Sequence, residues 1–360
     1  MRTHSFALPG GLALLVALPL VWFAARQNTI VLAALHGSAE TSDYKISGPY
    51  RHKNLSVFLL HGKNLDAASA AARAPGKTFL TLSEAITQRK VVVYETKTVN
   101  TLMIENLSNE EVFVQSGDIV KGGQQDRMLG TDLILPARSG KVAISAFCVE
   151  QGRWSRRGSE TVTQFSSAND RAATKDLKLA AKRSKSQGEV WAKVAEAQAK
   201  LSANVGAPVV SRQSESSLQL TLENERVRAT TDEYVRALAG IVAKHPDAVG
   251  YAFAINGHVN SADVYASPAL FRKLWPGLLK ATAIEAVAES KAGKPQAGPE
   301  VRAETVRSFI EESESGAADD KDINSRVQLR TRETQSNIVF ETRDRARKSA
   351  WVHRSYINKK

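Results

Sequence analysis

Two short clusters hold the side chains best suited to do chemistry. They are Lys121-Gly-Gly-Gln-Gln-Asp126-Arg127 and Cys148-Val-Glu-Gln-Gly-Arg153-Trp154. In the first, a Gly pair is followed at once by Gln124, Gln125, Asp126 and Arg127. Paired glycines let the backbone take positive φ or let another group come close. An arginine fork matches a carboxylate or phosphate, and a neighbouring Asp or Glu accepts hydrogen bonds or moves a proton. The candidate ligand-binding residues are therefore Gly122, Gly123, Gln125, Asp126, Arg127, Glu150, Gln151, Arg153 and Trp154. The same residue types have a plainer use. An internal Asp/Glu–Arg network ties strand ends together without any function, and Trp154 would then plug the core.

The elements that must position these residues read as strands. Val99–Trp154 contains three alternating apolar runs separated by polar turns. Leu107–Glu110 reads as a hairpin turn between 99–106 and 111–115, and Ser116-Gly117-Asp118 as a second turn. In 141–150, period-2 alternation puts Val142, Ile144, Ala146, Cys148 and Glu150 on one face. Cys148, the only cysteine, excludes an intramolecular disulfide and reads as a buried thiol. Ser155–Asn169 reads as a Ser/Thr/Gly-rich loop.

Elsewhere, Ser38–Pro49 reads as a polar connector, Tyr50–His61 contains a buried strand, and Asp66–Gly76 is Ala-rich. Helices are expected at Thr81–Lys90, Ala172–Ser184 and Glu189–Leu201, where Trp191 reads as core. Another is expected after a capping box at Thr230–Glu233. Asn256-Gly257 is a type I′ hairpin signal. Ser267-Pro268 then starts a helix as N-cap and N1. His258 and Asp263 sit five apart on one strand of that hairpin, so they face opposite sides and make a poor acid–base pair. The expected fold is α+β: an antiparallel, partly closed sheet, barrel- or sandwich-like, built from the central strands and the 249–265 hairpin and covered on one side by helices.

Several of these motifs resemble one bacterial family. GGQQDR, CVEQGRW, SQGEVWAKV and INGHVNSADVYASPALFRKLWPGLL resemble, in order, the ARG-and-rhodanese-phosphatase-associated protein domain. That family is named for gene neighbourhoods with ADP-ribosylglycohydrolase and rhodanese-phosphatase proteins. The resemblance spans 44–287 and extends toward the C-terminal strands. It implies a link to ADP-ribose or nucleotide chemistry and carries over no catalytic residue.

Segment by segment, residues 1–30 read as a signal peptide or N-terminal membrane anchor, 44–289 as the family domain, 290–302 as a linker, and 303–360 as basic strands packing on the same domain. The uncharged run Ser5–Ala25 follows Arg2 and His4. It is long enough to span a bilayer, at about 1.5 Å per residue. The expected location is extracytoplasmic, in the periplasm or at the cell surface, with the membrane as a partner through 5–25. Net charge is +12, with +7 in 326–360 (ten basic and three acidic residues). No zinc-finger, helix-turn-helix or RRM pattern accompanies it, so nucleic acid is not an expected partner. No HxH, HExxH or Cys/His pattern exists, so neither a metal nor another cofactor is expected. Three functions remain open. One is an exported domain binding a small anionic or nucleotide-derived ligand at the two clusters. Another is a non-enzymatic envelope structural or interaction protein. The third is a hydrolase using Asp126 or Glu150 as acid/base.

Overall fold

The computed structural model describes residues 44–62, 78–171, 174–290 and 300–360. The targeting segment, the Ala-rich stretch at 66–76 and most of the 290–302 linker lie outside them. Among the described residues no helix is long and apolar enough to cross a membrane.

The described chain opens with an antiparallel pair, β1 (Tyr44–His52) and β2 (Leu55–Gly62). β1 takes up the second half of the stretch read as a connector. It is an edge strand with a mostly half-buried face, and so keeps a polar composition. After β3 (Leu80–Thr81) comes α1 (Leu82–Thr87). Thr81 and Glu84 form a reciprocal capping box: the Glu84 N–H donates to the Thr81 hydroxyl at 3.2 Å, and the Thr81 N–H to the Glu84 carboxylate at 2.9 Å. The central strands are β4 (Val91–Thr98), β5 (Thr101–Asn106), β6 (Val112–Val114), β7 (Asp118–Gly122), β8 (Arg127–Leu129), β9 (Leu133–Leu135), β10 (Gly140–Cys148) and β11 (Phe165–Arg171). Next come α2 (Lys175–Leu179), continuing into a π-helical turn at Ala180–Ser184, then α3 (Gln187–Val205), α4 (Leu218–Leu222) and α5 (Glu225–Leu238). The hairpin β12 (Ala248–Ile255) and β13 (His258–Tyr265) leads to α6 (Pro268–Ala288) and α7 (Ala303–Glu314). The last strands are β14 (Ala318–Asp322), β15 (Val327–Glu333), β16 (Asn337–Asp344) and β17 (Ala350–Asn358).

The fold is α+β with large antiparallel sheets, one of them curled into a half-barrel. Eight strands run in the order β1-β2-β12-β13-β17-β16-β15-β14, six as β11-β7-β8-β10-β5-β4, and three as β3-β6-β9. The central strands and the 249–265 hairpin therefore belong to different sheets, because β17 takes the edge of β13 that a central strand would need. Residues 107–110 do not close a hairpin either. β5 pairs with β4 and β10, whereas β6 pairs with β3 and β9. The buried Asn106 amide pins this crossing by donating to the carbonyls of Glu110 and Pro136, at 2.6 and 2.8 Å.

Three further expectations are corrected. The last third of the 155–169 loop belongs to strand β11, an edge strand whose Ser-rich sequence hides it. Thr230–Glu233 lie inside α5, which starts six residues earlier, where Asn224 Oδ1 accepts from the N–H groups of Arg226 and Val227. The segment read as C-terminal strands opens with helix α7, whose Val306, Phe309, Ile310 and Ser313 share a buried face at spacings of 3, 4 and 7. Asn256 and Gly257 have φ of +52° and +81°, as a type I′ turn requires. Ser267 caps α6 through the Leu270 N–H, with Pro268 following.

Two apolar cores lie on opposite faces of the eight-stranded sheet. Tyr251 and Phe253 pack with Phe271, Trp275 and Leu278 of α6 on one face. Ala252 and Ala254 pack with Val306, Phe309 and Ile310 of α7 on the other. A third core fills the smaller sheets with Val93, Ile104, Val114, Leu129, Leu133 and Ile144. Trp191 is only half-buried, one position off the Val190–Val194–Leu201 stripe of α3.

Candidate functional site

The first cluster is the loop of the β7–β8 hairpin, and the second is the chain leaving β10 beside β8. Gly122 and Gly123 turn the loop at φ of +120° and +57°. A Cβ on Gly123 would sit 2.3 Å from the Phe165 ring and 2.8 Å from Glu95 Oε2, so protein groups take up the close approach that this glycine allows. The Gly122 N–H donates to Asp126 Oδ1 at 3.0 Å, and the Val149 N–H to the Asp126 carbonyl at 3.1 Å. These bonds fasten the two clusters to each other.

Asp126 and Glu150, both buried, meet the largely covered side chain of Arg153. The Asp126 N–H donates to Glu150 Oε2 at 3.2 Å, and Arg153 Nη2 lies 2.7 Å from the same oxygen and 3.8 Å from Asp126 Oδ1. Arg157, within the Ser155–Asn169 segment but not among the candidate residues, completes the group. Its guanidinium donates to both oxygens of Asp126, to Glu150 Oε1 at 3.3 Å and to Glu160 Oε1 at 2.9 Å. Ser217 Oγ adds a bond to Asp126 Oδ2 at 3.3 Å. A Ser-Arg-Arg-Gly-Ser-Glu run beginning just after Trp154 was the available signal, but its composition reads as loop.

Arg127 faces the other way. It is wholly buried, with Nη1 at 3.3 Å from Gln125 Oε1 and against the Cys148 thiol, and Nη2 at 3.4 Å from Glu95 Oε2. Glu95, on β4, was not singled out from sequence. It also accepts from the Gln124 N–H at 3.1 Å. Trp154 lies over Arg127 with 5.4 Å between ring and guanidinium carbon. It is 46 % exposed, so it caps the cluster from the solvent side and does not plug the core. Gln151 stays at the surface, its carbonyl accepting from the Ser216 hydroxyl.

Electrostatics follow from this geometry. Burial pushes the Asp126 carboxyl above the usual range, while the Arg157 fork pulls the other way. Burial alone would raise Glu150 too, but Arg153 and further hydrogen bonds hold it below its ordinary value. Burial raises the Cys148 thiol to about 11, which makes it a poor nucleophile at neutral pH. Both carboxylates have their oxygens engaged by guanidinium, hydroxyl or amide groups. Nε of Arg127 and Nε of Arg153 are buried and find no acceptor among the described residues.

A second buried polar centre lies between sheets and escaped the sequence reading. His353 on β17 has Nδ1 at 2.7 Å from Asp132 Oδ2 and Nε2 at 3.1 Å from Asp263 Oδ1. The Ser116 N–H and the Thr342 hydroxyl also donate to Asp132, at 2.8 and 2.6 Å. Asp263 thus pairs with His353, while His258 is exposed. An open cleft of about 520 Å³ is lined by Lys193, Glu196, Lys200, His258 and Glu289 among others, and by none of the predicted site residues. Two of its lysines are already paired: Lys200 is 2.8 Å from both Glu196 and Glu289, and Lys193 is 2.8 Å from Glu196.

No curated protein and no solved structure matches the chain. A family model does, and it takes in both site clusters, the hairpin and the strand that carries His353. It runs over residues 43–357, nearly all of the described fold. The chain belongs to the ARG and Rhodanese-Phosphatase-superfamily-associated Protein domain family.

Proposed function

We propose that the chain is an extracytoplasmic, small-ligand-binding domain that takes an anionic or nucleotide-derived ligand, of the ADP-ribose kind, at Trp154. One observation carries this reading. The exposed indole of Trp154 lies over Arg127, and Arg127 and Arg153 each keep a buried Nε–H without an acceptor. Buried donors ordinarily have partners. An aromatic face beside guanidinium donors suits a base and a phosphate respectively. The family's association with ARG proteins supports the ligand class, and the uncharged Ser5–Ala25 run supports export.

The hydrolase reading is weaker, because Asp126 and Glu150 both lie against guanidinium groups. The scaffold reading has one observation of its own, the mutual pairing of Asp126, Glu150, Arg153 and Arg157 in the interior. Calorimetric titration of the full-length chain with ADP-ribose, AMP and inorganic phosphate separates the two. Stacking is worth about 1–3 kcal/mol per base, so Trp154→Ala should weaken nucleotide binding roughly 5- to 150-fold. Arg153→Lys should weaken it with little change in melting temperature, since lysine keeps the charge and loses the fork. Absence of binding by all three compounds, or binding indifferent to Trp154→Ala, leaves the scaffold role.

A further inference from the structure

We propose that His61, His245 and Asp247 form a binding site for a divalent transition-metal ion of the zinc type, independent of the Trp154 site. His61 is the penultimate residue of β2, and the other two lie in the chain entering β12. One ligand atom from each of the three residues lies within 4.8 Å of the other two. The closest pair, His61 Nδ1 and Asp247 Oδ2, is 2.9 Å apart. Ligands on a tetrahedral zinc ion at about 2.0–2.1 Å stand roughly 3.3 Å from one another. Movements of about an ångström therefore close the set around an ion.

The surroundings are what a metal site requires beyond its ligands. Metal-bound imidazoles are oriented by a hydrogen bond to the ring nitrogen that does not face the ion. Ser47 Oγ lies 2.8 Å from His61 Nε2, and Tyr50 Oη 2.7 Å from His245 Nε2. Both hydroxyls come from β1, whose register shifts between Ser47 and Tyr50. That irregularity lets residues three apart serve the same side of the strand. The two imidazoles meet edge to face, with centroids 5.3 Å apart. His61 is buried, whereas the Asp247 side chain is 65 % exposed, so an ion has a path in from solvent.

The donor set selects the ion. Two imidazoles and one carboxylate suit zinc, cobalt, nickel or iron(II) rather than magnesium or calcium, which prefer all-oxygen sites. Three protein ligands leave a coordination position for water, as in catalytic rather than structural zinc sites. When the ion binds, the hydrogen shared between His61 Nδ1 and Asp247 leaves to solvent, and nitrogen and oxygen both turn to the metal.

The test is titration of the metal-free, full-length chain with zinc against a chromophoric chelator, together with the visible spectrum of the cobalt(II) form. One equivalent of zinc and a tetrahedral or five-coordinate cobalt spectrum are expected. Asp247→Asn and His245→Gln should each abolish stoichiometric binding. Tyr50→Phe should weaken it about 10- to 100-fold, as loss of an orienting partner does. Asp247→Asn changes an exposed side chain, so its metal-free melt should match wild type. His258→Gln, at an exposed histidine elsewhere, should bind as wild type. Wild-type protein that takes up no equivalent of zinc overturns the proposal, as does uptake that survives both Asp247→Asn and His245→Gln. Neither outcome bears on nucleotide binding at Trp154.

Discussion

Arg157 grips Asp126 with both arms of its guanidinium, Nη1 at 2.9 Å from Oδ2 and Nη2 at 3.0 Å from Oδ1. The pair is buried, and its members lie 31 residues apart in the chain. It joins a hairpin loop to the segment that leaves β10. The clamp holds that segment, and Trp154 within it, against the sheet.

Removing one member leaves the other as a buried, uncompensated charge. Arg157→Ala is expected to cost about 3–5 kcal/mol. The double variant Arg157→Ala/Asp126→Ala should lose less than the sum of the singles, because contacting residues couple. Urea unfolding of the two singles and the double measures this. Additive losses would show that the two side chains do not act as a pair.

Cys148 is a packing residue in the same row as Ile144 and Ala146. Cys148→Ala should cost about 1 kcal/mol or somewhat more and leave ligand binding intact. Alkylation of the native thiol should be slow at neutral pH, since the group is buried and its pKa is raised to about 11. Fast modification of the folded protein would contradict this placement.

His353 makes stability depend on pH. Burial alone would lower its pKa, but Asp132 and Asp263 outweigh burial and raise it above the ordinary 6.5. A raised folded value means that the contribution is complete below about pH 6.5 and is lost as pH rises through the folded value. Asp132 and Asp263 lie below the usual carboxylate range despite burial, held there by His353. Their contribution is present above about pH 4 and is lost as pH falls through the depressed values. His353→Gln should therefore be most destabilising near pH 6, with a gap from wild type that narrows toward alkaline pH. Urea titrations across that range would show it, and a constant gap would rule it out.

Export has its own assay. Alkaline phosphatase fused after Lys53 should be active in a bacterial host if Ser5–Ala25 carries the following chain out of the cytoplasm. An inactive fusion, with a cytosolic reporter active at the same site, would place the domain inside. Full mass in the membrane fraction would indicate an anchor, and a shorter soluble product would indicate cleavage.

Local signals carried far in the sequence. The short helix within Thr81–Lys90, Asn256-Gly257 as a turn and Ser267-Pro268 as a helix start all depend on neighbours within a few positions, and all recur in the structure. The meeting of Asp126, Glu150 and Arg153 was also legible, because strand alternation aims Glu150 and glycine frees the loop. What escaped depends on distant partners. Arg157 sits in a segment whose composition speaks of loop, and its role exists only once β8 and β10 are paired. Glu95 reads as an ordinary polar residue until Arg127 is buried against it. His353 and Asp263 come from two different strands and Asp132 from the connection before β9, so no spacing could join them. Edge strands β1 and β11 were missed for a related reason: with one side unpaired, they keep the polar composition of a connector.

The place of β17 has a consequence for the order in which the molecule is made. β13 pairs on one side with β12, its immediate predecessor, and on the other with β17, about ninety residues downstream at Asp263↔Ser355. Until residues 350–358 are synthesised, β13 offers a bare hydrogen-bonding rim and Asp263 lacks His353. A nascent chain thus stays open until its last strand arrives, and long-range closure of this kind is slow. Were the chain exported as proposed, the machinery threading it across a bilayer would receive a polypeptide that has not yet closed its largest sheet.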